Sequence, residues 1–141
     1  MFGWLKKKSG ASLIISDTEK TLNEVRKLTE AVQRVIAMSV YKEIVHSLRQ
    51  IEGTPGPSSP ERDQVIRDQL NRAKAARHRA LSRGAKNLAD PDWAATAIIE
   101  SWLMANSGAL GREAFDRITD LTMSWLRSVL RDSDFEEIEQ S

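Results

Sequence analysis

The sequence predicts an all-α protein, an antiparallel four-helix bundle with a long first helix and short N- and C-terminal extensions. Three observations favour this fold class. Apolar residues recur at spacings of three and four along most of the chain, which is the period of a helix. Valine, isoleucine and threonine form no alternating runs of the kind that mark strands. Glycines and prolines are few, and most of them fall between the periodic segments, where they separate one helix from the next.

The first predicted helix is about 35 residues long, which corresponds to roughly 50 Å. It begins at Ser16, because Ser16 and Glu19 match a capping box, in which each side chain bonds the other's backbone amide. Its apolar stripe consists of Leu22, Val25, Leu28, Val32, Val35, Ile36, Val40, Tyr41, Ile44, Val45, Leu48 and Ile51. The stripe shifts between Ile36 and Tyr41, so we expect packing inside a bundle rather than a strict two-stranded coiled coil.

A linker and a second helix follow. Residues 53–59 form the one clear linker, because glycine and proline together disfavour regular structure. Ser59 then serves as an N-cap, and Pro60 takes the first helical position, where its missing amide hydrogen costs nothing. This second helix is predicted to run to about Ala89, with Gly84 as a kink or an early stop.

Two more helices complete the predicted bundle. Asp90 and Pro91 start the third helix with the same signal. Its residues up to Ala105 are apolar on nearly every side, which predicts the most buried helix. The fourth helix begins near Gly111, and its apolar side carries Phe115, Ile118, Leu121, Trp125, Leu126, Val129 and Leu130. Because the connections are short, neighbouring helices should run antiparallel.

These elements divide the chain into three predicted parts. Residues 16–132 form the bundle, residues 1–15 form a flexible basic and aromatic N-terminal segment, and residues 133–141 form an acidic C-terminal tail. Ser133 and Glu136 could cap a short last turn within this tail.

Composition limits the compartment and the kinds of site. The chain has no cysteine, which excludes disulfides and thiolate metal sites and fits a reducing, bacterial-type cytosol. No apolar run approaches the roughly 18 residues of a membrane span. The first lysines follow a very short apolar patch, unlike the order of a secretory signal, so we expect a cytoplasmic protein. The net charge is only +1, but residues 53–89 carry eight basic and three acidic side chains, whereas residues 132–141 carry five acids and no base.

The sequence lacks recognisable motifs for catalysis or for cofactor and metal binding, so we expect a protein that is not an enzyme and binds no cofactor. The linker has two glycines but not the lysine of a phosphate-binding loop. His46 and His78 lie on different predicted helices, whereas a zinc protease places its pair on one. Glu43 and His46 form one Glu-x-x-His step, but di-iron bundles need two such steps. Glu43 and His46 are therefore expected to be ordinary neighbouring side chains on the surface.

Arg72 and His78 stand in an Arg-x5-His spacing. This spacing resembles the short signature of the HEPN domains, which are helical proteins that often cleave RNA. The resemblance covers these two residues and the all-helical class, and it departs from the family at Ala73, where a polar residue commonly follows the arginine. On an unbroken helix six residues turn through about 240°, so the two side chains would point apart. RNA cleavage is therefore the least favoured functional hypothesis.

The second helix carries a basic ridge formed by Arg72, Arg79, Arg83 and Lys86. These residues fall within a narrow sector of the helix, and the ridge extends for roughly 20 Å. It could bind an anion or follow a nucleic-acid backbone, because neutralised phosphates release their counterions. The alternative is an ordinary solvated face, or one that the acidic tail neutralises.

Arg77 differs from these arginines because it lies near the middle of the apolar side of the same helix. Its guanidinium could reach solvent along its own stem, or it could pair with a buried acid such as Glu100. We expect Arg77 to matter for folding in either arrangement.

The N-terminal segment combines apolar and basic side chains, namely Phe2, Trp4, Leu5, Lys6, Lys7 and Lys8. Aromatic rings can lie among lipid headgroups while lysines meet anionic lipid, which would attach the protein to the inner face of a membrane. The same segment could dock on another protein. It could also be a frayed end, or an end that covers the bundle.

The leading functional hypothesis is a non-enzymatic regulatory or adaptor protein that binds another protein. Segregated charge and long amphipathic faces favour it, and a surplus apolar face on the first helix could make a homodimer. The alternatives are nucleic-acid binding through the basic ridge and peripheral membrane association through the N-terminal segment.

Overall fold

The computed structural model describes residues 3–55, 59–84 and 90–141, with side chains described from residue 10 onward. These ranges contain six α-helices and no strand. The helices are α1 (Gly3–Arg26), α2 (Glu30–Glu52), α3 (Pro60–Ser82), α4 (Pro91–Asn106), α5 (Gly111–Val129) and α6 (Asp132–Gln140). The all-α class is confirmed, but the described ranges hold six helices where four were expected.

α1 and α2 occupy the stretch that the sequence predicts as one long helix. Thr29 interrupts it, because its backbone is extended and its hydroxyl accepts a hydrogen bond from the Val32 amide at 3.4 Å as the N-cap of α2. The Gln33 side-chain amide donates to the carbonyls of Arg26 and Leu28, at 3.2 and 2.9 Å. These bonds satisfy acceptors at the end of α1. The prediction of a single helix is therefore wrong.

The interruption also changes which residues of the predicted stripe face the core. Leu22 and Val25 of α1 are fully buried, and Ile36 opens the buried face of α2. Val35 is 56% exposed and Leu48 is 37% exposed, although both belong to the stripe predicted for one continuous helix.

α1 begins earlier than expected, at Gly3 instead of Ser16. The predicted capping box is wrong, because Ser16 lies inside the helix, and the backbone is helical where a flexible segment was expected. Glu19 instead accepts a hydrogen bond from the Arg117 guanidinium at 2.6 Å, which joins α1 to α5.

The predicted starts of the next two helices are confirmed. The Ser59 hydroxyl accepts from the Arg62 amide at 3.0 Å at the start of α3. The Asp90 carboxylate accepts from two backbone amides at the start of α4, at 2.9 and 3.2 Å. α3 ends at Ser82, so the predicted end near Ala89 is wrong and the alternative of an early stop at Gly84 is the one observed. Gly84 stops it with φ of +88°, a conformation that suits glycine; residues 85–89 lie outside the described ranges.

α4 occupies the centre of the molecule, since it packs against α1, α2, α3 and α5. Half of its residues are buried, in agreement with the prediction that this helix is the most buried: Ala94, Ala95, Ile98, Ile99, Trp102, Leu103, Ala105 and Asn106. The surrounding helices contribute buried apolar side chains such as Ile36, Val40 and Trp125 to the same core. The fold is therefore organised as a shell of helices around α4.

Polar contacts show that α3 and α4 run antiparallel. The Arg62 guanidinium, near the start of α3, donates to the carbonyl of Asn106 at the end of α4, at 2.8 Å. The Arg83 guanidinium, just past the end of α3, donates to Asp92 in the first turn of α4, at 2.6 Å. The expected antiparallel arrangement is thus observed for this pair of helices.

The predicted acidic tail is a helix that packs on α2. Asp134 is buried and accepts two hydrogen bonds from the Arg34 guanidinium, at 2.7 and 2.8 Å. The backbone amide of Arg131 donates to the same carboxylate at 2.9 Å. This backbone hydrogen bond and the Arg34 contact lower the pKa of Asp134 below its ordinary value.

Further contacts attach the rest of α6 to α2. The Tyr41 hydroxyl donates to Glu139 at 2.5 Å, and burial followed by this contact raises the pKa of Tyr41 to about 12. The Tyr41 and Phe135 rings meet edge to face at 4.8 Å, and Ile138 is 3% exposed. The ion pair that α6 makes among the described residues joins Asp134 to Arg34 of α2, and Arg72 and Arg83 pair with acids outside α6. The interpretation that the acidic tail neutralises the basic ridge is therefore wrong.

Among the described residues, no helix has the length and hydropathy needed to cross a membrane.

We expect Asp134→Asn to lower the free energy of unfolding at pH 7, because the variant removes the charge that Arg34 binds. A lowered pKa means that this stabilisation is present above the ordinary aspartate pKa and is lost as the pH falls through the folded value. The difference in the free energy of unfolding between wild type and variant should therefore shrink as the pH falls below the ordinary aspartate pKa of about 3.9. Urea unfolding followed by tryptophan fluorescence measures it. The matched control is Asp132→Asn, an exposed position on the same helix, and an equal effect of both variants would contradict the prediction.

Candidate anion-binding groove

A groove of about 270 Å³ opens where α2, α3 and α4 meet. Its residues are Ser39, Glu43, Arg72, Ala73, Ala76, Arg79, Arg83, Asp92, Ala95, Thr96 and Ile99. The local sequence of α3 explains why the space exists. The buried face of α3 consists of Ile66, Ala73 and Ala80, so this helix packs mainly through short side chains. Alanine side chains on α3 and α4 leave a floor that longer residues would fill.

Three members of the predicted basic ridge line this one groove. They are Arg72, Arg79 and Arg83, whereas Lys86 lies outside the described ranges. The three arginines share a side of α3 because their spacings of seven and four residues return to nearly the same direction on a helix. The structure therefore brings together the described part of the sequence-predicted ridge.

Two acidic residues compensate part of this positive charge. The Arg72 guanidinium donates to Glu43 of α2 at 3.0 Å, and the Arg83 guanidinium donates to Asp92 of α4 at 2.6 Å. Both pairs are open to solvent, so each contributes only a fraction of a kcal/mol, about 0.2–1. Among the described residues, no carboxylate lies within 4.0 Å of Arg79. The groove thus holds three guanidinium groups and two carboxylates.

Arg77 points away from the groove and pairs with Glu100 of α4 at 2.6 Å, as one of the sequence interpretations expected. The Glu100 side chain is 14% exposed, and its second oxygen is buried without a hydrogen-bond partner in the structure. Burial raises the pKa of Glu100, although the charges of Arg77 and Lys74 act in the opposite direction. This pair belongs to the α3–α4 interface and not to the groove.

The residues of the Arg-x5-His spacing do not form one site. α3 is continuous from Pro60 to Ser82, and His78 is exposed and does not line the groove, whereas Arg72 is bound to Glu43. The Glu-x-x-His step is likewise divided, because Glu43 faces the groove and His46 is not among the residues that line it. The described residues contain no group of three or more potential metal ligands.

The N-terminal residues predicted to dock on a membrane or a partner lie at the start of α1. Trp4, Leu5, Lys6, Lys7 and Lys8 are in its first turns, but their side chains are not among those described, and Phe2 lies outside the described ranges. The structure therefore does not test this docking prediction.

Sequence reasoning missed the acidic partners and the floor of the groove. Glu43 is 29 residues from Arg72 along the chain, and no local pattern connects them. A weak signal was available for the floor, since Ala73 and Ala76 stand three residues apart on α3, which places them on one side of the helix. Short side chains at such positions indicate close helix packing or a depression in the surface.

The chain matches no protein-family model, and we found no match among curated proteins or solved structures.

We expect Arg77→Ala to lower the free energy of unfolding by about 2 kcal/mol, because it leaves the Glu100 carboxylate largely buried without its cation. The control is Arg67→Ala, which removes an exposed arginine of the same helix and should change stability by less than about 0.5 kcal/mol. Thermal unfolding followed by circular dichroism measures both. Equal melting temperatures for Arg77→Ala and wild type would contradict the prediction.

The raised pKa of Glu100 also predicts a pH dependence. Stabilisation from a group of this kind is present at low pH and is lost as the pH rises through its folded pKa. Wild type should therefore gain stability relative to Glu100→Gln as the pH is lowered from 7 toward about 4. Urea unfolding at several pH values measures this gain, and a constant difference across that range would contradict it.

Proposed function

We propose that the protein is a non-enzymatic interaction module that binds an acidic segment of another protein in the groove between α2, α3 and α4. The observation that carries the proposal is Arg79, which lies in the groove with no described carboxylate within 4.0 Å, between two arginines that are already held in place. A guanidinium has forked donors that match the two oxygens of a carboxylate. The proposal thus assigns the regulatory or adaptor role to this groove.

The size and lining of the groove favour side chains over a large ligand. Its volume of about 270 Å³ is just below the range of roughly 300–1,000 Å³ that is typical of sites for drug-sized molecules. The floor is formed by small side chains such as Ala73, Ala76 and Ala95. One or two acidic side chains of a bound segment could lie on this floor with their carboxylates at the rim.

Nucleic-acid binding is the weaker alternative. Its affinity grows with the number of phosphates that a protein neutralises, and Glu43 and Asp92 already neutralise two of the three arginines in the groove. The same acids would repel a continuous phosphate backbone. The groove also lacks the aromatic side chains on which single-stranded bases stack.

The lining of the groove also supports a function without catalysis. General acid–base catalysis needs a group that can take up or release a proton near the operating pH. The groove residues include no histidine or cysteine, and both of their carboxylates are bound by arginines. This lining favours the binding of a charged segment over proton transfer.

We expect nuclease-treated lysate to yield the same captured protein partner with immobilised wild type and with Arg67→Ala. Arg79→Ala should capture about tenfold less, because it removes a charge-assisted contact worth roughly 1.4 kcal/mol. Quantitative mass spectrometry of the captured material measures the difference. Equal capture by Arg79→Ala would contradict the proposal, and a signal that disappears with nuclease would favour nucleic-acid binding instead.

A further inference from the structure

We infer that Glu43 and Asp92 act as built-in competitors for the arginines of the groove, and that the bound segment places one carboxylate on Arg79 and uses a second to displace an internal acid from a neighbouring arginine. This inference rests on the proposed function, because it concerns the same groove. It adds the spacing of the ligand's charges and a mechanism that limits binding. Neither property follows from a basic surface alone.

The spacing of the arginines defines the ligand. Arg79 and Arg83 are four residues apart on α3, which corresponds to a rise of about 6 Å. Two carboxylates at i and i+4 of a bound helix have the same separation, and so do carboxylates at i and i+2 of an extended segment, at about 6.6 Å. The ligand that fits is therefore a protein segment with paired Asp or Glu side chains at one of these spacings.

The competition follows from the contacts inside the groove. Asp92 holds the guanidinium of Arg83 at 2.6 Å, and Glu43 holds that of Arg72 at 3.0 Å, in the position where a ligand carboxylate would bind. Both pairs are weak, since the side chains of Arg83 and Asp92 are 56% and 69% exposed and those of Arg72 and Glu43 are 49% and 35% exposed. A ligand can bind Arg79 first and then exchange with Asp92 on Arg83. A ligand with a single carboxylate would bind only Arg79. The internal acids therefore discriminate against ligands with isolated charges.

The internal acids also keep the arginines ordered in the free protein. An arginine that is already held near the rim loses less side-chain entropy when a ligand binds it. The two acids consequently lower the affinity for the ligand through competition, but they also reduce the side-chain entropy that the arginines lose on binding. Removing an acid should therefore strengthen ligand binding modestly, and removing Arg79 should weaken it more.

The test uses the full chain and a fluorescein-labelled hexaglutamate peptide, followed by anisotropy at low ionic strength, because salt screens exposed charges. We expect Glu43→Gln and Asp92→Asn each to bind the peptide about threefold more tightly than wild type. Arg79→Gln should bind it about tenfold more weakly. Both acid substitutions change exposed or half-exposed positions, and circular dichroism melting checks that each variant folds.

Two control variants separate local competition from net charge. Glu24→Gln of α1 also removes an acid from an exposed ion pair, which it forms at 2.9 Å with Lys27 just past the end of that helix, and it should leave the affinity within about twofold of wild type. Arg67→Gln removes one positive charge of α3 outside the groove and should behave likewise. If Glu43→Gln and Asp92→Asn bind no more tightly than Glu24→Gln, the competition is refuted.

The outcomes distinguish this inference from the proposed function. Loss of binding in Arg79→Gln without a gain in the acid variants would overturn the competition and leave the groove as the binding site. Failure of wild type to bind hexaglutamate would overturn the paired-carboxylate ligand. If labelled oligothymidylate or inorganic phosphate binds in its place with the same dependence on Arg79, the ligand carries phosphate, and the acidic-segment inference is wrong.

Discussion

The structure depends on the burial of α4. This helix is apolar on nearly every side and half of its residues are buried, because α1, α2, α3 and α5 pack against it and exclude water. α3 contributes few large apolar residues to this shell, since two of its three buried residues are Ala73 and Ala80. Small side chains at that contact allow close packing at the centre and leave a depression at the edge. The groove is thus a consequence of how the most buried helix is covered.

The charged residues near α4 differ in how deeply they are buried. Arg77 and Glu100 lie at the α3–α4 interface, where burial raises the carboxyl pKa and an unpaired partner is costly. The arginines of the groove lie outside that interface, in pairs that water screens. Water screening makes the outer pairs exchangeable. One helix therefore carries both a structural arginine and arginines that are available to a ligand.

The N-terminal caps that start α3 and α4 were predictable, because a cap acts within about four residues of itself. The predictions of one long first helix and of a solvated acidic tail failed, because each segment also contains residues that favour a different structure. Thr29 and Gln33 end α1 and start α2 inside an apolar stripe that reads as continuous. At the other end of the chain, a run of acids indicates a solvated tail. The contacts of Asp134 with Arg34, and of Glu139 with Tyr41, bring it onto α2.

The sequence by itself determined the all-α class, the buried character of α4, the starts of α3 and α4 and the glycine that ends α3. These features arise from helical periodicity and from hydrogen bonds between near neighbours, which a single segment contains. The sequence also predicted that the three arginines of the groove share one side of a helix. Only the tertiary structure decided which acids meet them, since Glu43 is 29 residues from Arg72 and on another helix. Such pairings depend on how the helices pack around α4, and no segment of the sequence contains that information alone.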